Sequence, residues 1–237
     1  MRQINLFILL ATVIFLQVGC KKENPTNMTP NPPISETSEI LYLALGDSYT
    51  IGQSVEEAER WPIQLAKNLQ LVGIEVADPQ LIAKTGWTTA NLKDAIDEAE
   101  LENNFDLVSL LIGVNNQYQG KSIEQYKVEF EELLITAVKL AKDNKKRVFV
   151  VSIPDYGATP FGAANAAAIG SEIDAFNVIN KQITDKYSIQ YFDITPISRQ
   201  AKDNPALTAK DGLHPSGEMY RLWVELILEE VKGMLAK

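Results

Sequence analysis

Apolar residues recur along this chain in two rhythms. Compact apolar runs appear at Ile40–Leu45, closed by Gly46, and at Asp106–Ile112, Arg147–Ile153 and Ile189–Ile194. Runs of this length bounded by glycine, proline or polar residues predict buried strands, and a further strand is predicted near Gln80–Lys84. Between them the apolar positions fall three and four residues apart. Glu57–Leu71 places Trp61, Leu65 and Leu69 on one face, with Pro62 tolerable only near the start. Thr88–Leu101 places Leu92, Ile96 and Ala99 inward. Ile123–Lys142 and Ile173–Tyr187 have the same period, and a last helix is predicted from Pro215 to the C-terminus, with the proline near its first turn.

Strand and helix therefore alternate from residue 40 onward. That order implies a parallel sheet with helices on both faces, an α/β fold. In open parallel sheets, sites lie beyond the carboxyl ends of the strands. The tips to search are Gly46-Asp47-Ser48, Thr85-Gly86-Trp87, Gly113-Val114-Asn115-Asn116 and Pro154-Asp155-Tyr156.

The segment before residue 40 does not fit that pattern. Arg2 precedes a mostly apolar run from Ile4 to Val18, followed by Gly19 and Cys20. A positive start, a short apolar stretch and a small residue before the cut predict a signal peptide over 1–19. The run is shorter than the roughly 20 residues of a spanning helix. Gly19-Cys20 resembles the lipobox of bacterial lipoproteins, in which the cysteine is lipidated, although Gln17 stands where an aliphatic residue is usual and Leu16 is one place early. Residues 20–38, rich in Pro, Asn, Thr and Ser, predict a flexible tether, which leaves 39–237 as the folded domain. With Lys21 rather than aspartate after Cys20, the usual sorting rule for such lipoproteins implies the outer membrane of a bacterial cell envelope, held through the lipid.

Composition narrows the chemistry. The chain has 237 residues, 46% hydrophobic, and about 200 remain after the leader, enough for one core. Its formal net charge is -9, and the longest basic run, Lys145–Arg147, sits before an apolar strand as a solvated loop, so no nucleic-acid footprint is present. One cysteine and one histidine exclude an intramolecular disulfide and the usual His/Cys zinc site.

The single histidine belongs to Asp211-Gly212-Leu213-His214-Pro215. Imidazole can take the proton of a serine hydroxyl near neutrality, and a carboxylate three residues earlier can orient the ring. Ser48, directly after the first strand, can project into a cleft, although Asp-Ser is also a common helix cap. Asn115 offers an amide donor and Gly86 a backbone N–H with close approach, and both also suit plain turns. Tyr118, Tyr156, Phe161 and Trp87 are candidates to line an acyl or sugar pocket, or to be ordinary packing.

Taken together, these blocks resemble the SGNH, or GDSL, hydrolase superfamily over residues 40 to about 233. The resemblance implies a three-layer, flavodoxin-like α/β/α sandwich around a parallel sheet of about five strands. It assigns Ser48, Asp211 and His214 as the triad, and Ser48, Gly86 and Asn115 as the oxyanion hole. It implies a serine ester hydrolase that needs no metal or organic cofactor. The substrate would be a small-molecule ester, a lipid or an acetylated glycan, with a small acyl group preferred. Two departures stand out: the first block reads GDSY, and the third has Asn116 where the family often has aspartate. Other hydrolase and nucleotide motifs fail. No serine lies in G-x-S-x-G, Gly120-Lys121-Ser122 lacks the first P-loop glycine, and no G-x-G-x-x-G follows a strand. The alternatives are a lysophospholipase or thioesterase acting on longer chains, and a binding lipoprotein of the same fold without turnover.

Overall fold

The computed structural model describes residues 39–236. The predicted signal peptide, Cys20 and the whole of the predicted tether lie outside them. Five strands form one sheet: β1 (Tyr42–Gly46), β2 (Gln80–Ala83), β3 (Leu107–Leu111), β4 (Val148–Val151) and β5 (Gln190–Phe192). Five long helices connect and cover them: α2 (Trp61–Leu71), α3 (Thr89–Glu98), α5 (Ile123–Leu140), α6 (Ala166–Lys186) and α8 (Gly217–Leu235). Three short helices follow strand ends, α1 (Ser48–Ile51), α4 (Val114–Tyr118) and α7 (Thr195–Ser198).

The sheet order is β2-β1-β3-β4-β5, and every pairing is parallel. From β1 the chain crosses to β2 on one side, then passes back to β3 on the other. Right-handed crossovers then place the helices of the two directions on opposite faces. Accordingly α2 packs against α8, while α3 and α6 each pack against α5. The reversal leaves a crevice between the carboxyl ends of β1 and β3, the place where open α/β sheets hold ligands.

The three central strands, β1, β3 and β4, are buried at every position, as expected for parallel strands covered on both faces, whereas the edge strands β2 and β5 are partly exposed. Phe149 of β4 sits at the centre of one layer, with ring centroids 6.5 Å from Tyr42, 6.3 Å from Trp61 and 5.5 Å from Phe192. Between α5 and α6, Tyr126 packs on Phe176 at 4.6 Å. Trp61 and Phe149 are both fully buried, and truncating either to alanine would cost about 3–5 kcal/mol.

Three local expectations are corrected. The helix expected over Glu57–Leu71 is broken: Glu57–Glu59 form a single 3-10 turn, Arg60 is extended, and the α-helix starts at Trp61. Pro62 explains the break, since a helix running through it would lack its N–H and clash with the carbonyl four residues earlier, whereas the first turn of a helix tolerates it. Ala99 is exposed, because α3 ends before it. Pro215 lies ahead of the last helix, which Ser216 caps by accepting the Met219 N–H at 3.2 Å. In addition, α6 begins at Ala166 rather than Ile173. The alanine run there has no apolar period to read, but alanine is the best helix former.

Candidate active site

Ser48 is placed by the shortest possible route out of the sheet. β1 ends at Gly46, Asp47 caps α1 by accepting the Tyr49 N–H at 3.0 Å, and Ser48 is the first residue of the helix. A side chain at Gly46 would stand 2.2 Å from Thr50 Oγ1 and 2.5 Å from the Leu111 carbonyl, so only glycine lets α1 turn this tightly against β3. The first N–H groups of a helix have no partner within it, so the Ser48 N–H is a donor at the crevice.

Asp47 is fully buried and its Oδ2 has no hydrogen-bond partner among the described residues. Burial pushes its carboxyl up to about 7, against the opposing pull of the Tyr49, Asp47 and Gly113 backbone N–H groups.

Ser48, Gly86 and Asn115, which follow the ends of β1, β2 and β3, and His214, from the loop before α8, line one cleft of about 160 Å³. Asp211 sits behind the histidine, with Oδ2 2.6 Å from His214 Nδ1. Its Oδ1 accepts the Leu213 and His214 backbone N–H groups at 2.9 and 3.0 Å. Burial alone would raise the Asp211 carboxyl. The bonds from Ser54, from the His214 ring and from the two backbone N–H groups outweigh it and hold the carboxyl well below the usual range. The histidine therefore carries its proton on Nδ1, facing the carboxylate, and leaves Nε2 free as an acceptor. Tyr49 packs edge-on against the imidazole at 5.7 Å. No hydrogen bond joins Ser48 Oγ to the ring in this structure, a separation common in sites without substrate.

Asn115 lies on α4, the short helix after β3. Its Nδ2 gives one proton to the Trp87 carbonyl at 3.0 Å, which orients the amide and leaves the second proton for the cleft. Gly86 has φ of 83°, and its carbonyl accepts Gln119 Nε2 at 3.3 Å. The neighbouring Asn116 turns away from the cleft. It accepts the Thr89 N–H and donates to Thr89 Oγ1, while that hydroxyl donates to Glu129 of α5.

The cleft wall is apolar. Tyr118, Tyr156 and Phe161 form a ring trio with centroids 6.1 to 6.3 Å apart, beside Val114 and Leu213. Trp87 is not among the lining residues; it packs against the core. The fourth strand tip, Pro154-Asp155-Tyr156, holds scaffold rather than chemistry. Asp155 is buried, ion-paired with Arg199 at 2.8 Å, and accepts the Gly157 N–H, which sets the loop carrying Tyr156 and Phe161. The Phe161 N–H donates to the Gly212 carbonyl at 2.9 Å, fastening this wall to the Asp211–His214 loop. Sequence reading did not find Ser54, the Arg199–Asp155 pair or the Thr89–Glu129 contact. Each joins positions far apart in the chain and has no local pattern.

Residues 44–222 match the sequence profile of the GDSL-like lipase/acylhydrolase family. Among solved structures, the chain is similar to the crystal structure of TesA, with 18% identity and a TM-score of 0.64 over 82% of this chain and 99% of that one. It is also similar to a psychrotrophic esterase, EstA, from Pseudoalteromonas sp., with 15% identity and a TM-score of 0.62 over 83% and 99% of the two chains. Axe2, an acetylxylan esterase from Geobacillus stearothermophilus, is 20% identical with a TM-score of 0.60, covering 82% and 94%. At these identities the likeness is one of fold. Among curated protein sequences, none matches this chain significantly.

Proposed function

Because the chain belongs to the GDSL-like lipase/acylhydrolase family, we propose that it is a serine ester hydrolase acting on small acyl esters. The observation that carries this reading is the convergence of Ser48, Gly86, Asn115 and His214 on one cleft, with Asp211 bonded to the far side of the imidazole.

In this reading Ser48 Oγ attacks the ester carbonyl carbon while His214 Nε2 takes its proton. The carbonyl oxygen becomes an oxyanion, met by the Ser48 and Gly86 backbone N–H groups and the second Asn115 amide proton. Collapse expels the alcohol, which receives the proton from His214. Water, deprotonated by the same nitrogen, then attacks the acyl-serine and releases the acid. Asp211 stays ionised throughout and steadies the imidazolium.

Two features support a small acyl group. The cleft, about 160 Å³, is below the roughly 300–1,000 Å³ of pockets that enclose drug-sized ligands. Tyr118 and Phe161 are more than half exposed at its rim, where they suit the alcohol moiety, including a sugar ring. The apolar lining favours a second reading, a longer acyl chain laid along the same rings. We further infer export and lipid attachment at Cys20 from the N-terminal pattern. Incorporation of labelled palmitate that persists in Cys20→Ser would exclude that attachment.

The test of the activity is hydrolysis of p-nitrophenyl acetate and octanoate by the protein from Glu39 onward, beside Ser48→Ala. Turnover of the acetate that vanishes in the variant is expected. Equal rates in the two proteins would sink the proposal, and preference for octanoate would select the second reading.

A further inference from the structure

Ser54 lies in the turn after α1, two residues beyond Gly52, and it has φ of 68°. A side chain bearing Cβ is rarely held in this left-handed region. Four other non-glycine residues share that sign of φ among the described residues: Glu100, Lys142, Asp143 and Ser188. Glu100, Lys142 and Ser188 each stand two residues past the end of a long helix, where such a conformation closes the last turn, and Asp143 follows Lys142 in the same loop. Ser54 has no such explanation, because Gly52 already closes α1 with φ of 69°.

Its side chain supplies one. Ser54 Oγ donates to Asp211 Oδ2 at 2.6 Å across 157 residues of sequence. That oxygen is the one that meets His214 Nδ1 at 2.6 Å. With Oδ1 taken by the Leu213 and His214 N–H groups, four donors fill the four acceptor positions of the carboxylate. Three of them come from Asp211's own loop. Ser54 is the fourth, and the only one from another part of the chain. The neighbouring Gln53 accepts the Thr85 hydroxyl at 2.7 Å, so this turn touches both the Gly86 side and the His214 side of the cleft.

The geometry points to Ser54 as a positioning residue for the triad, whose hydroxyl fixes the Asp211 oxygen that holds the His214 ring and takes up part of its charge. This rests on the esterase reading above only for its effect on turnover. A hydroxyl donating to a carboxylate spreads its negative charge. Removing it leaves an oxygen that holds the imidazolium more strongly, so the histidine keeps its proton to higher pH. The other ionisable groups facing this pair are Tyr49 from α1, Asp155 and Tyr156 from the loop after β4, and Tyr220 from α8, with Asp47 and Arg60 behind them. A change at Ser54 alters none of these.

His214 is the sole histidine, so an untagged protein gives one imidazole signal in NMR. The experiment is a pH titration of that signal in wild type, Ser54→Ala and Ser54→Gly, with thermal melts and kinetics on p-nitrophenyl acetate. Both variants lack the hydroxyl, but only glycine is relieved of the left-handed strain. The midpoint should rise by roughly half a unit in both, while the melting temperature falls in Ser54→Ala relative to Ser54→Gly. Turnover should drop about tenfold in kcat with KM little changed, the size of one hydrogen bond to a charged group. A midpoint that stays at the wild-type value in both variants would overturn the assignment, whether or not the ester is hydrolysed. Failure of the esterase reading would instead appear as Ser48-independent turnover with the titration shift still present.

Discussion

Asn116 and Thr89 grip each other through two hydrogen bonds, one in each direction. Asn116 Oδ1 accepts the Thr89 N–H at 3.0 Å, and Asn116 Nδ2 donates to Thr89 Oγ1 at 2.7 Å. Both are buried, and the Thr89 proton is already committed to Glu129. This accounts for an asparagine where the family often has aspartate. A carboxylate could accept the Thr89 N–H, but it has no proton to give an oxygen whose own hydrogen points elsewhere. Asn116→Asp should therefore lower stability by about 1–3 kcal/mol, through a buried charge and a lost donor, as read by urea denaturation. Replacing Glu129 by glutamine in the same chain should recover part of the loss by removing the nearby charge. If Asn116→Asp melts like wild type, the pairing does not hold this loop.

The adjacent Asn115 is held by a single bond to the Trp87 carbonyl, which leaves its second amide proton for the cleft. A donor that meets charge only as it develops acts on kcat. Asn115→Ala should reduce kcat by about a hundredfold or more, with a much smaller change in KM. A variant altered mainly in KM would place Asn115 in ground-state binding.

Buried Asp47 makes stability depend on pH in the direction opposite to most carboxylates. Its folded-state value is pushed up to about 7 by burial, above the ordinary 3.8 it has when unfolded. Below the lower value the group is protonated in both states and costs nothing. As pH rises between the two values the unfolded chain releases the proton first, so stability falls. Asp47→Asn keeps the cap for Tyr49 and removes this cost. The variant should lose less stability than wild type between pH 4 and pH 7, by an amount on the order of 4 kcal/mol at full effect. Parallel stability curves for the two proteins across that range would show that Asp47 stays ionised throughout.

The rings at the rim should set selectivity rather than the chemical step. Tyr118 and Phe161 are 58% and 53% exposed, against 6% for Tyr156, so either can be removed without opening the core. Tyr118→Ala and Phe161→Ala should leave melting temperatures within about 2 °C of wild type, as surface changes do. Each should raise KM severalfold for esters of bulky alcohols while sparing ethyl acetate. Uniform loss over all esters would mean that the rings support the His214 loop, to which Phe161 is bonded through Gly212.

How much of this was legible beforehand follows from how far each signal reaches along the chain. The strand runs at Ile40–Leu45 and Asp106–Ile112 were readable because burial on both faces of a parallel sheet demands nearly continuous apolar residues, with Ser109 tolerated through its bond to the Tyr42 hydroxyl. The helical break at Arg60 was readable only in part. Pro62 was seen as an early helix residue, but the extended Arg60 depends on how the preceding 3-10 turn meets the chain. The α6 start was not readable, since alanines such as Ala167 and Ala168 carry no inward face.

For the candidate site, the sequence by itself determined the residue types and their order: Ser48 after one strand, Gly86 and Asn115 after two others, and Asp211 three residues before the only histidine. It could do so because strand ends and a three-residue separation are local properties. Which side chains meet across the sheet was decided by tertiary structure alone. The reversal of strand order between β1 and β3 brings those tips to one crevice, sets Asn116 against Thr89, and lays Ser54 on Asp211. Contacts of that kind depend on where the crossovers place whole elements, and no spacing along a single chain encodes them.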